Sequence, residues 1–247
     1  MSHSLEILSG MEYPGRVIII GADTAGEHAV VVYAITGRSS SSQARKISVE
    51  ENRILVVPTD EAAVREGNLD LLVYPAISVS RGIVVSNGKQ TGDIVASLHG
   101  HVSAVDVLRS SLSSWEFEPD APTYTPRISG CVLPSGKAAL SIIRREKDGS
   151  SRREYFDFSL KAGHGKIIAT YSGHNRDPLP SFSGAPVDIG LEGKSHGEEA
   201  ERIYAALAGR DRTKDFRVAV VCFYGSDLEN DIYSLSIINR HERKENP

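Results

Sequence analysis

Apolar residues along this chain fall in short runs rich in Val and Ile, separated by polar, glycine-bearing turns. Runs of this length and branching favour strands over helices. Val17–Gly21 and Ala29–Ile35, separated by ADTAGEH, predict a hairpin. Ile54–Val57, Leu71–Tyr74 and Ile83–Val85 predict further strands, and DEAAVREGN at 60–68 predicts a helical turn. TGRSSSSQARK reads as a polar loop. From Asp93 to Leu112 the period changes. Ile94, Leu98, Val102, Val105, Leu108 and Leu112 recur every three or four residues, which is one face of a helix. Strands follow at Ile128–Leu133 and Ala138–Arg144 around the turn PSGK, then at Glu154–Leu160 and Lys166–Tyr171. Residues 172–195, rich in Pro, Gly and Ser, predict a long functional loop. Ser195 and Glu198 have capping-box spacing for a helix running to about Ala208 and ending at Gly209. Phe216–Tyr224 and Ile232–Asn239 are the last predicted strands, before a charged tail.

Strands in consecutive blocks, not alternating strictly with helices, predict an α+β fold with largely antiparallel sheets. No repeat or linker divides residues 1–247, so a single domain is expected. At 247 residues, 40% hydrophobic and 24% charged, the chain has an ordinary globular composition. Its net charge of −4 gives no global attraction to nucleic acid or anionic membrane, so an anion site must be a local cluster of Arg and Lys. No apolar run approaches the ~20 residues needed to span a bilayer. The first residues lack a basic leader with a long apolar core, so no signal peptide is expected and a cytoplasmic location is. Cys131 and Cys222 each lie in an apolar strand-like run and read as buried, reduced thiols.

The candidate chemistry sits in three polar blocks. In SNGKQTGDI, residues 86–94, an apolar strand runs into a helix start with polar side chains concentrated there. Such junctions bind anions and small ligands. Asp93 at the helix start favours the positive end of the dipole. Arg38 and Arg45 flank a serine run, with Lys46 adjoining. Guanidinium forks and hydroxyls suit a phosphate monoester, and a solvated surface loop is the competing reading. Arg16 follows the tight-turn sequence Tyr13-Pro14-Gly15 and could equally serve a surface ion pair. Arg127, after a proline at a strand mouth, suits either an aimed charge or a structural salt bridge. Tyr74 reads by default as a core aromatic.

Other chemistries are not supported. GLEGKS at 190–195 has Asp188 where a phosphate loop needs its first glycine, and GADTAG lacks dinucleotide spacing. His99 and His101, two apart on a predicted helix, cannot share a metal. No HExxH, cysteine pair or G-x-S-x-G elbow is present, so neither a metal nor a serine-hydrolase triad is expected.

YPGR at 13–16, GRS at 37–39, Arg45, VVP at 56–58, Tyr74, VVSNGKQTGDI at 84–94 and TPRI at 125–128, in this order, resemble the archaeal-type IMP cyclohydrolase family. The likeness is close to about residue 145 and looser beyond. It implies a four-layer α-β-β-α sandwich like that of the N-terminal-nucleophile hydrolases, without their processed nucleophile. It implies closure of the purine ring of 5-formamidoimidazole-4-carboxamide ribotide to IMP and water, with no cofactor and in a homo-oligomer. Arg38, Ser39 and Arg45 would hold the 5′-phosphate. Asn87, Gly88, Lys89 and Thr91 would contact the ribotide, with Arg16 behind them. Tyr74, Arg127 and Asp93 would be catalytic, Asp93 competing with a helix-cap role. The family's carboxylate before TPR corresponds to Glu118 or Asp120, and Lys89-Gln90 stands where archaeal members have Ser-His. Two other functions stay open: an amidohydrolase or deaminase on the same scaffold, and a non-catalytic purine-nucleotide-binding module.

Overall fold

The β-branched runs form the expected hairpin. β1 (Arg16–Ala22) pairs antiparallel with β2 (Ala29–Thr36), Arg16 opposite Ile35. Asp23 shapes the connection by accepting the amides of Glu27 and His28. The computed structural model describes residues 5–60, 62, 69–100, 102–208 and 214–243. Its helical segments are α1 (Glu6–Ser9), α2 (Ser40–Gln43), α3 (Leu69–Leu72), α4 (Thr91–Ser97), α5 (Ala104–Ser111) and α6 (His196–Ala206). The hairpin is central to a six-stranded sheet ordered β11-β10-β1-β2-β12-β13, with β10 at His164–Ala169, β11 at Val187–Gly190, β12 at Arg217–Asp227 and β13 at Ile232–Asn239. A seven-stranded sheet follows chain order: β3 (Arg45–Glu50), β4 (Arg53–Pro58), β5 (Tyr74–Val79), β6 (Ile83–Ser86), β7 (Arg127–Val132), β8 (Lys137–Arg145) and β9 (Ser151–Ser159). Every strand pairing among the described residues is antiparallel, so the fold is α+β.

The sheets meet where β1 lies against β7, β2 against β6 and β12 against β3. Alternation in β7 shows how the pattern works. Ile128 and Val132 join the large core that both sheets share, while Cys131 faces a second core with Ile94, Leu98, Val107 and Leu108 from the helical segment over that sheet. α6 packs on β12 and β13. Ser195 caps α6 as expected, accepting the Glu198 amide at 3.2 Å, but Glu198 returns its carboxylate to Lys194 instead of completing the box.

Four expectations change. The helix foreseen over 93–112 is broken: α4 ends in a 3-10 turn at Leu98–Gly100, and α5 begins after an extended Ser103. Val102, on the predicted apolar face, is 91% exposed because it falls in that break. Leu71–Tyr74 is not a strand; α3 ends at Leu72 and β5 starts at Tyr74. The polar loop TGRSSSSQARK contains α2, closed by a reciprocal Ser39–Ser42 box, and then the first residues of β3. The 172–195 loop contains the edge strand β11. Most of the turn expected at 60–68, His101, Gly209 and the end of the tail lie outside the described residues. Both thiols are buried and unpaired, and burial pushes Cys131 up to about 12. Among the described residues no helix is long and apolar enough to cross a membrane.

Candidate active site

The turn before β1 sets the site. Gly15 has φ +76°, and a Cβ there would strike Thr170 and the Tyr171 ring, so only glycine fits. The turn delivers Arg16 into a cavity of about 320 Å³. Its walls include Tyr13, Arg16, Arg38, Arg45, Glu118 and Tyr171, with the serines of α2. A wider depression of about 800 Å³ is lined by Arg217, Arg240 and Arg243. Those cations are already matched, the first two to Asp215 and the third to Glu201. The smaller cavity, which brings the predicted Arg16, Arg38, Ser39 and Arg45 together, is the better candidate.

At its wall Arg16 Nη2 donates to both carboxylate oxygens of Glu118, at 3.3 and 3.1 Å. Glu118 is 1% exposed. Burial pushes its carboxyl up toward the neutral acid, against the pull of Arg16 and Arg127. Burial also works against the Arg16 charge, yet Glu118 and the surrounding phenols leave it well above the ordinary value. A guanidinium stays charged in either case, so the proton that can move belongs to Glu118.

Behind Glu118 runs a fully engaged network. Asn87 Nδ2 donates to Glu118 at 3.2 Å and to the Pro126 carbonyl at 2.9 Å, while its Oδ1 accepts from the Ile128 amide and from Gln90. Gln90 Oε1 accepts from Arg127 Nη1 at 3.2 Å. Arg127 also donates to the Glu116 carbonyl and lies 4.9 Å over the Trp115 ring. Trp115 in turn donates to Asp93 at 2.8 Å. A Cβ on Gly88 would come within 2.6 Å of Gln90 and 2.7 Å of Arg127, so the missing side chain makes room for this network. Thr91 donates to the Pro75 carbonyl at 2.6 Å and ties the junction to the strand carrying Tyr74.

Deeper still, Tyr33 of β2 and Tyr74 of β5 share a hydrogen bond of 2.7 Å between the sheets. Both are buried. Burial, and then Tyr74, raise Tyr33 well above the phenol range. Arg45 is 2% exposed; its Nε donates to the Ser42 carbonyl, and no carboxylate among the described residues pairs with it. At the mouth, Arg38 stacks 5.4 Å over Tyr13 and pairs with Asn175 and Asp177 of the long loop. On the far wall Thr125 is 2.5 Å from Asp120 Oδ2 and 2.6 Å from the Tyr171 hydroxyl. Its single hydrogen goes to the carboxylate, so Tyr171 is the donor to Thr125.

The predicted residues therefore separate. Arg16, Arg38, Ser39 and Arg45 line one cavity. Ser39 spends its hydroxyl on the α2 cap. Tyr74 lies buried against Tyr33, while Asn87, Gly88, Thr91 and Arg127 stand behind the wall instead of on it. Lys89 and Asp93 are exposed, and Asp93 is linked to the site through Trp115. At the junction 86–94 the amides of Asn87, Gly88, Thr91, Gly92 and Ile94 are bonded within the turn and to β7. GLEGKS is likewise self-satisfied, with the Gly193 amide bonded to Glu199. Tyr33, Gln90, Trp115, Thr125 and Tyr171 are not among the predicted site residues. A tyrosine in the otherwise apolar VVVYAI was the available signal, since a buried phenol needs a partner.

The family described as IMP cyclohydrolase-like protein matches residues 13–226, from the Tyr13 turn to the end of β12. The chain belongs to this family. Two curated IMP cyclohydrolases show the same relation. That of Haloquadratum walsbyi is 34% identical over 135 residues, covering 54% of this chain and 63% of the relative. That of Halobacterium salinarum is 28% identical over 135 residues, covering 54% and 64%. The matched part thus spans a little under two thirds of each cyclohydrolase's length.

Proposed function

We propose that this chain is an IMP cyclohydrolase, closing the purine ring of 5-formamidoimidazole-4-carboxamide ribotide in purine synthesis. Family membership supports the reading, and one observation carries it to the residues: a buried carboxyl, Glu118, held between Arg16 and Arg127 on the wall of a cavity that also holds Arg38 and Arg45. In the reaction the carboxamide nitrogen attacks the formyl carbon, and the C=O electrons move onto oxygen. The nitrogen loses a proton and the oxygen gains one. The formamido nitrogen then gives up its hydrogen, its electrons form the new C=N bond, and hydroxide leaves as water. Both reacting groups are on one molecule, so holding them aligned can supply about 7–11 kcal/mol.

Glu118 fits the proton carrier, taking the proton from the attacking nitrogen and returning it to the leaving oxygen. It is favoured over Asp120, which is committed to Thr125, and over Asp93, which is exposed. Gln90, where the resemblance implies histidine, is an amide that does not titrate, so this reading places the proton transfer on Glu118. Arg38 and the α2 hydroxyls would receive the 5′-phosphate, displacing Asp177. Asn87, Gly88, Thr91 and Arg127 would hold Glu118 in place. The same proposal includes one domain, the four-layer sandwich of the N-terminal-nucleophile type, homo-oligomeric assembly and a cytoplasmic location.

The test is to mix purified protein with the formylated ribotide and follow the ultraviolet spectrum of IMP. Turnover unaffected by a chelator is expected. Tight IMP binding without turnover would replace this reading with that of a binding module.

A further inference from the structure

The inner faces of the two sheets bring four polar side chains together below the cavity. Arg16 is opposite Ile35, and Ile18 is opposite Tyr33, so Arg16 and Tyr33 share one face of the hairpin. Ile47 is opposite Val56, which is opposite Tyr74, so Arg45, two residues before Ile47, shares a face with Tyr74. The Tyr33–Tyr74 hydrogen bond shows that these two faces meet.

All four residues are at least nine-tenths buried, and they hold donors without acceptors. Arg16 Nε and Arg45 Nη1 have no hydrogen-bond partner among the described residues. The phenol pair has two hydroxyl hydrogens and one shared bond, so whichever phenol donates, the other's hydrogen finds no acceptor among the described residues. A buried donor left unmatched is costly, and three in one place are not a packing accident. A negatively charged oxygen would accept from all three.

We propose that Arg16, Arg45 and Tyr74 form an oxyanion pocket for ring closure, with Tyr33 as the residue that positions the Tyr74 hydroxyl. The pocket receives the formyl oxygen as it gains the electron pair from its C=O bond, and it is separate from the phosphate clamp at Arg38. This moves Arg45 from the phosphate to the reacting end of the substrate. Donors fixed in a water-excluded site need no reorganisation when the charge appears. The inference rests on the cyclohydrolase reading.

Two variants and a separate binding measurement test it. Tyr33→Phe keeps the ring and removes only the hydroxyl. It should lower kcat by up to about 10²-fold with KM and IMP binding little changed, because the Tyr74 hydroxyl loses its orientation. Tyr33→Phe combined with Tyr74→Phe should be no slower than Tyr74→Phe alone. Arg45→Met should lower kcat by about 10²-fold or more while raising the melting temperature of the ligand-free protein, since it removes an unpaired buried charge. A purely structural arginine would give the opposite melting shift. Independently, sodium formate should raise the wild-type melting temperature in a saturable way, and this response should vanish in Arg45→Met. Wild-type turnover that survives both Tyr33→Phe and Arg45→Met overturns the pocket and leaves the cyclohydrolase reading standing. An inactive wild type with an Arg45-dependent formate response overturns that reading and keeps the anion site.

Discussion

Glu118 is the residue on which the proposed chemistry turns. Its position between two guanidinium groups would by itself lower a carboxyl, but burial outweighs them and raises it. The sign follows directly. A carboxyl with a raised folded pKa is protonated to higher pH than an exposed one. Its stabilising contribution is full below the unfolded value and is lost as pH rises through the raised one. The rate should therefore depend on an ionisation above the usual carboxylate range, and Glu118→Gln should remove that limb of the pH profile while lowering kcat by about 10²–10⁴-fold. An unchanged profile in Glu118→Gln would transfer the proton to another group. The sequence could not choose between Glu118 and Asp120, because two residues apart in a proline-bearing loop neither has a readable direction. Only the fold shows one meeting Arg16 and the other Thr125.

At the scale of elements, strands were more legible than helices. β2, β6, β7 and β13 lie within one or two residues of their predicted runs, because β-branched stretches bounded by polar turns admit few alternatives. The helix over 93–112 was misread because its three-and-four spacing persists across a break that only tertiary packing reveals. Two substitutions separate the readings. Leu98→Ala empties part of the core under α4 and should cost about 2–5 kcal/mol. Val102→Ser, at an exposed position in the break, should leave the melting temperature unchanged. Equal losses at both would restore the continuous helix. The strand–helix junction takes a different place from the one its sequence suggests. Asn87 donates to Glu118, and Gln90 holds Asn87 from behind.

Across the whole molecule the site belongs to neither sheet alone. Arg16 and Tyr33 come from one sheet, Arg45 and Tyr74 from the other, and Glu118 from the loop between α5 and β7. Pairings such as β1 with β10 and β2 with β12 join residues more than a hundred positions apart, which no local pattern announces. If one core stabilises both sheets, urea should abolish activity and circular dichroism in a single coincident transition. Two separated transitions would divide the chain into independent units and end the one-domain proposal.

Trp115 is the single tryptophan of the chain, and its indole is sandwiched into the chain of contacts that runs from Asp93 to Arg127. The protein thus carries one indole, which can be excited selectively over its tyrosines, at a known address a single side chain away from the network around Glu118. Emission from it is free of the averaging that several indoles would impose. A ligand that shifts Arg127 would announce itself optically, without any label, so substrate arrival, product departure and the conformational steps between them can be timed separately from the chemistry.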